Sequence, residues 1–169
     1  VVKAASTKPF GFTPFSPGPG VGGHCIPIDP LFITHIAKKN KVNSNFIELA
    51  SKVNFEITNW IVKKIKNKIK TGKNILILGV AYKKNIDDYR ESPAIMIIDQ
   101  LKKDYVVKFY DPYINKISIN SKNLNSIKKL LYKKLKNFSA VVIVADHDNF
   151  DYKKIVKYSK IIFDTRNVL

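Results

Sequence analysis

The residues most able to do chemistry lie in one run, Pro17-Gly-Pro-Gly-Val-Gly-Gly-His-Cys-Ile-Pro-Ile-Asp29-Pro30. Four glycines fall within Gly18–Gly23. Without a Cβ the backbone can come very close to a ligand, and successive N–H groups can hold a phosphate or a hydroxyl. Cys25 is the only thiol of the chain and ends this run. It sits just before an expected helix start, a setting that favours thiolate chemistry. A buried structural cysteine is the plain alternative, and the glycine approach tilts the choice towards a nucleophile. His24 can act as its base or orient a substrate, although a lone histidine is more often a packed side chain. Asp29 reads as a helix N-cap followed by Pro30 at the first helical position, and it can also serve the chemistry.

Two further clusters carry cations. Leu78-Gly-Val-Ala-Tyr-Lys-Lys-Asn-Ile-Asp-Asp-Tyr-Arg90-Glu-Ser-Pro-Ala follows an apolar run. Open sheets bind their ligands at such strand ends. Lys83, Lys84 and Arg90 suit phosphates or a carboxylate, and on residue type alone they are equally at home as solvated loop residues. Asp164-Thr-Arg166-Asn167 follows the last apolar run. Arg166 should emerge at the same sheet edge as Lys83, and two cations from different loops suggest an anion site. The Gly-x-Gly-x-x-Gly dinucleotide fingerprint is absent.

Elements must position these residues. Prolines and glycines alternate through 1–23, so that stretch should be loop. A helix is expected from Pro30 to Asn40. A second should open at Asn45 with Glu48 three residues on, as in a capping box. Phe46, Ala50, Val53, Ile57, Ile61, Ile65 and Ile69 share one helical face, and Gly72 supplies the stop. From Asn45 to Lys70 that helix would be roughly 39 Å long at 1.5 Å per residue. Its lysine-rich opposite face suits a helix that spans between domains or pairs with a partner helix. From Lys73 apolar runs alternate with helix-like stretches. Buried parallel strands are expected at Ile75–Gly79, Val106–Tyr110, Ala140–Ala145 and Ile161–Phe163. Helices are expected near Ser92–Lys103, Asn123–Leu135 and Tyr152–Tyr158. The fold class is therefore α/β: a helical segment over 1–72 with one long helix, then a Rossmann-like parallel sheet over 73–169.

Composition bounds the function. The chain has 169 residues, 45% apolar and 25% charged, as expected of a globular fold. A single cysteine excludes an internal disulfide and a cysteine-rich zinc site, and no metal site is expected. No apolar run reaches the roughly 18 residues that span a bilayer. The start has no charged-then-apolar leader and no Met, so it reads as mid-protein. The net charge of +17 is nearly all lysine, spread over helix faces. This reads as a solvated surface and not as a nucleic-acid footprint, although any anionic ligand would be attracted.

Four motifs in register resemble the UDP-glucose/GDP-mannose dehydrogenase family: the run from Phe15 to Pro30, Gly79-Val-Ala-Tyr-Lys-Lys, Asp88-Tyr-Arg-Glu-Ser-Pro-Ala, and Asp164-Thr-Arg-Asn. The resemblance covers essentially the whole chain. His24, where glucose-specific members usually have Ser, favours the branch that is similar to bacterial UDP-N-acetylhexosamine 6-dehydrogenases. The resemblance implies oxidation of a nucleotide-sugar at C6 from alcohol to carboxylate, with two NAD+ reduced. Cys25 would be the nucleophile that forms a thiohemiacetal and then a thioester, and Asp29 would help to activate water. Gly22, Gly23, His24, Tyr82, Lys83 and Arg166 would contact the substrate, and Arg90 would reach the NAD. The resemblance further implies a cytoplasmic enzyme of surface-polysaccharide synthesis, dimeric through the long helix, with its NAD-binding domain upstream of residue 1. Asn85 departs from the family pattern, which has an acidic residue there. The alternatives are a UDP-glucose or GDP-mannose 6-dehydrogenase, or a non-catalytic nucleotide-sugar or polyanion-binding module.

Overall fold

The computed structural model describes residues 1–70 and 72–169. A short helix α1 (Val2–Ala5) opens the chain, within the loop-like stretch where no long element is expected. The Pro/Gly-rich segment then leads into α2 (Cys25–Lys39) and α3 (Asn45–Lys68). Next come β1 (Asn74–Leu78), α4 (Pro93–Leu101), β2 (Val106–Tyr110), β3 (Lys116–Ile119) and β4 (Lys122–Asn125). A 3-10 helix (Tyr132–Asn137), β5 (Ala140–Ile143), α5 (Tyr152–Tyr158) and β6 (Ile162–Asp164) complete the chain.

Four strands form one parallel sheet in the order β2-β1-β5-β6. The alternation of apolar runs and helices leads to this, because parallel strands need crossover connections. Ile75, Leu76, Ile77 and Leu78 are all buried, as a strand covered on both faces requires. On one face, Ile75 and Ile77 pack with Ile61, Ile65, Ile97, Ile98 and Phe109. On the other, Leu76, Leu78, Val141 and Ile143 pack with Leu135, Phe150 and Ile155. The rigid middle layer fixes where the strand-end loops emerge.

Three local expectations are corrected. Helix α2 begins at Cys25 with His24 as N-cap, so Asp29 lies inside it and caps nothing. Pro27 falls in the first turn, where backbone N–H groups have no intrahelical partner, so its ring is tolerated there. Pro30 lies inside the helix and removes one N–H from the ladder without ending it. Helix α3 stops at Lys68, ahead of Gly72, at roughly 36 Å for its 24 residues. Its N-cap is Ser44, and Glu48 instead accepts from the Ser44 hydroxyl at 3.4 Å and pairs with Lys38 of α2 at 3.1 Å. The helix expected at Asn123–Leu135 is absent: β3 and β4 form an antiparallel hairpin, followed by extended chain and the 3-10 turn. Asn120 and Ser121 at the hairpin tip both have positive φ, the mark of a tight two-residue turn.

The face of α3 divides in two. Ile61, Ile65 and the following Ile69 are buried against the sheet. Towards the start of the helix Phe46, Leu49 and Val53 are exposed, Phe46 at 83%.

Candidate functional site

Helix α2 carries the thiol at its first residue. Cys25 is exposed, and Asp29 follows it by four residues, which places both on one face. His24 precedes the helix and is exposed. A thiol at a helix head beside a carboxylate one turn on can add to an electrophile and then direct water at the product.

The glycine run is held on both sides. Asn54 of α3 clasps it, accepting from Val21 N–H at 2.6 Å and donating to Val21 O at 3.3 Å. The Thr58 hydroxyl donates to Pro19 O at 3.2 Å. Opposite, Gly23 N–H donates to Arg90 O at 3.0 Å. A Cβ on Gly22 would lie 2.6 Å from Glu91 O and 2.8 Å from Tyr82 Cβ. One on Gly23, where φ is +90°, would lie 2.8 Å from the Tyr82 ring. The run therefore has to be glycine because it presses on the loop that follows β1.

That loop, residues 79–92, carries Tyr82, Lys83 and Arg90. Ser92 caps α4 by accepting from Ala94 N–H at 3.2 Å, with Pro93 at the first turn. Arg90 is gripped by Asp88 through Nε at 3.0 Å and Nη2 at 2.7 Å. Its guanidinium is held further above its ordinary value, first by these bonds and then by the smaller pull of Tyr82 and Cys25. Lys84 pairs with Asp148 at 2.9 Å, which raises the lysine and lowers the carboxylate through the same hydrogen bond. Lys83 is exposed and makes no ion pair among the described residues. Of the two lysines, Lys83 is the one available to an anion.

Arg166 arrives from the end of β6. Its Nε donates to Asp146 at 2.9 Å, and its Nη1 lies 2.5 Å from where a Gly18 Cβ would stand. The last loop thus covers the first residues of the glycine run. A cleft of about 560 Å3 opens between that run, α3 and the end of β6, lined in part by Gly18, Trp60, Phe163 and Asn167. This is within the range of small-molecule sites. No group of three metal-ligating side chains occurs among the described residues.

The structure brings Gly22, Gly23, Tyr82 and Arg90 into contact, and it puts Cys25 and Asp29 on one helix face. Arg166 meets the glycine run through Gly18, four residues away from Gly22. Asn54, Thr58 and Asp146 escaped the sequence reading, and Asp88 entered it only as part of a motif, without its grip on Arg90. For Asp88 the spacing to Arg90 was a usable signal. The other three are polar residues whose partners are distant in sequence.

A family model described as "UDP-glucose/GDP-mannose dehydrogenase family, UDP binding domain" matches residues 76–169. The model of the same family's central domain matches residues 1–56. The chain belongs to the UDP-glucose/GDP-mannose dehydrogenase family. Among similar proteins, the UDP-N-acetyl-D-mannosamine dehydrogenase of Methanocaldococcus jannaschii is 40% identical over 164 residues, covering 90% of this chain and 36% of that protein. The UDP-glucose 6-dehydrogenase of Rickettsia bellii is 36% identical over 176 residues, covering 96% and 40%. The solved UDP-N-acetyl-mannosamine dehydrogenase from S. aureus superposes with a TM-score of 0.71 at 31% identity, covering 99% of this chain and 39% of that one. The chain thus spans between a third and two-fifths of the length of these relatives.

Proposed function

We propose that the whole protein oxidises a UDP-N-acetylhexosamine at C6 to the uronic acid in two NAD-dependent steps, and that this chain supplies the thiol and most of the sugar-nucleotide site. The observation that carries this reading is the docking of the Cys25–Asp29 helix head and its glycine run onto the loop of Tyr82, Lys83 and Arg90. Residues 1–72 contribute the active-site loop and central helices. Residues 73–169 hold the nucleotide.

Lys83 and Arg166 neutralise the diphosphate from two loops, and the Gly22–Gly23 backbone lies along the sugar. Tyr82 walls the sugar, and His24 orients its N-acetyl side. NAD supplies the acceptor for the two hydrides, and Arg90, a guanidinium beside the thiol, fits a contact to its phosphates. Once C6 is an aldehyde, the Cys25 thiolate adds to the carbonyl carbon, and the oxygen takes up a proton. With NAD bound, this thiohemiacetal would lose the remaining C6 hydride to the cofactor and its hydroxyl proton to solvent, leaving a thioester on Cys25. Asp29 takes a proton from water, which attacks the thioester carbonyl. The C–S bond breaks, and the carboxylate leaves with the thiolate restored.

The exposed apolar stripe of Phe46, Leu49 and Val53 on α3 supports burial against a second copy about a two-fold axis. No helix among the described residues is long and apolar enough to cross a membrane. We place the reaction in the cytoplasm, in service of surface polysaccharide.

The test is an NADH assay on the full-length protein with UDP-N-acetylhexosamines and UDP-glucose. The reading requires two NADH per sugar and faster turnover of the acetylated substrates. Cys25→Ser should collapse turnover while calorimetry still registers nucleotide-sugar binding. Near-parental turnover in Cys25→Ser would remove the nucleophile assignment.

A further inference from the structure

Asp111 and His147 form a buried pair to which the mechanism above gives no part. Asp111 is 2% exposed and His147 0%. His147 Nε2 lies 3.0 Å from Asp111 Oδ2, and His147 Nδ1 accepts from the Asn85 backbone N–H at 2.9 Å. A ring nitrogen that accepts carries no proton, so the proton is on Nε2 and is donated to Asp111. Asp111 Oδ2 also accepts from Val80 N–H at 2.7 Å and Ala81 N–H at 3.2 Å. Its Oδ1 accepts from Tyr113 and Ile114 N–H at 2.8 and 3.1 Å. The rings of Tyr113 and Phe150 pack on His147 with centroids 5.1 and 5.4 Å away.

The position of these bonds is telling. The strand order reverses direction between β1 and β5, and open sheets place ligands at that point. Asp111 follows β2, His147 follows β5, and between them they fasten the loop that follows β1. Val80 and Ala81 lie just before Tyr82 and Lys83, and Asn85 lies just after. Lys83 is therefore bracketed by backbone N–H groups that end on this pair. Asn85 has φ +60°, a left-handed conformation that Asn tolerates better than most residues. Its side chain ties on to Asp148, accepting from the backbone N–H at 3.0 Å. This also accounts for the missing acidic residue at 85: its place is taken by an amide that bridges two loops.

We propose that Asp111 and His147 are positioning residues that set the Tyr82–Lys83 loop for the nucleotide-sugar, His147 through its Nδ1 bond to Asn85. This rests on the reading of Lys83 as a substrate contact. Two substitutions separate the two bonds of the ring. In His147→Asn the amide oxygen stands where Nδ1 stood, so the bond to the loop can persist while the one to Asp111 is lost. In His147→Gln the amide nitrogen stands where Nε2 stood, so the bond to Asp111 can persist while the one to the loop is lost.

The experiment measures KM, kcat and melting temperature on the full-length protein carrying each change, beside Lys83→Ala. His147→Gln should raise KM for the UDP-sugar about tenfold, the effect of losing one well-placed hydrogen bond, with kcat within about twofold. His147→Asn should hold KM within about threefold although it melts lower. If KM instead follows melting temperature across the pair, or moves in neither, the pair is structural and the proposal is overturned. A normal KM in Lys83→Ala removes the functional reading and this inference with it. A raised KM in Lys83→Ala with a parental His147→Gln removes this inference alone. Should the variants fail to fold, nitrogen NMR of the unaltered protein decides. The His147 Nδ1 signal should move when UDP-sugar binds, and a signal that stays fixed at saturation overturns the proposal.

Discussion

Gly22→Ala tests whether the glycine run is pressed against the Tyr82 loop as described. The added methyl would sit 2.6 Å from Glu91 O and 2.8 Å from Tyr82 Cβ. Ordinary carbon–oxygen contacts begin near roughly 3.3 Å, so the shortfall is about 0.7 Å. A backbone carbonyl and a Cβ cannot turn aside as the end of a long side chain can. The two loops must therefore part, which costs about 1–3 kcal/mol by analogy with overpacked cores. Parting them also breaks the Gly23 N–H bond to Arg90 O, worth about 1 kcal/mol. The sum, about 2–4 kcal/mol, corresponds to roughly 30- to 1,000-fold in affinity. The loops lie outside the sheet core, so the cost should appear in ligand binding more than in global stability. Titration calorimetry with UDP-N-acetylhexosamine on the full-length protein reads the first, and thermal melting reads the second. Gly11→Ala is the internal control. That glycine carries the added strain of a positive φ, which Gly22 lacks, but its nearest foreign atom is a lysine Nζ 3.9 Å away, so the variant should bind near-normally. Parental affinity in Gly22→Ala, or an equal loss in Gly11→Ala, would refute the steric argument.

Asp146→Asn should loosen Arg166, whose Nε it holds at 2.9 Å, and weaken UDP-sugar binding by about three- to tenfold with little change in melting. Calorimetry checks this, and unchanged affinity would dismiss Asp146 as a support. Burial alone would raise the Asp111 carboxyl, but the bonds from His147, Val80 and Tyr113 outweigh it and hold it below its ordinary value. Its stabilisation is therefore full above an unfolded carboxylate value of about 3.9 and fades as pH falls through the lower folded value. Melting scans from neutral to acid should show the parent losing stability below about pH 4, with Asp111→Asn already weak at neutral pH and flatter across that window. Phe46→Asp with Val53→Asp, both on the exposed part of α3, should shift the protein towards monomer in sedimentation at micromolar concentration. A parental distribution would argue that the pairing face lies elsewhere.

The strands were readable because burial on both faces demands unbroken apolar runs, and Ile75–Leu78 has no other explanation. The hairpin was not read, for a reason visible in the residues. Leu124, Ile127, Leu130 and Leu131 recur at helical spacing, and that signal outweighed the shorter alternation of Ile117 and Ile119. The structure uses Leu130 and Leu135 as separate plugs under the sheet, reached by extended chain. At the site, Asp29-Pro30 looked like a helix boundary, which hid that Cys25 and Asp29 share a turn of one helix. The direction of the error matters, because the true start puts both groups on one face. Side-chain partners such as Asn54 to Val21 or Asp146 to Arg166 join residues that only the folded chain brings together. Spacing in the sequence carries no trace of them.

The placement of Arg166 over Gly18 has a consequence for the order in which the protein assembles. A chain emerging from the ribosome presents the glycine run well before the guanidinium that covers it. Asn54 and Thr58 are available sooner, so a nascent chain can tether the run before it can cover it. Completing the cover must wait for β6 to pair with β5 at the sheet edge, and the Gly18–Arg166 contact then joins residues far apart in the chain, a slow kind of step. Until then Gly18 at the head of the run lacks its cover, while Cys25 on α2 is exposed before and after. Pulsed hydrogen exchange at the Val21 and Gly23 amides during refolding would time the tethering of the run against the formation of the sheet.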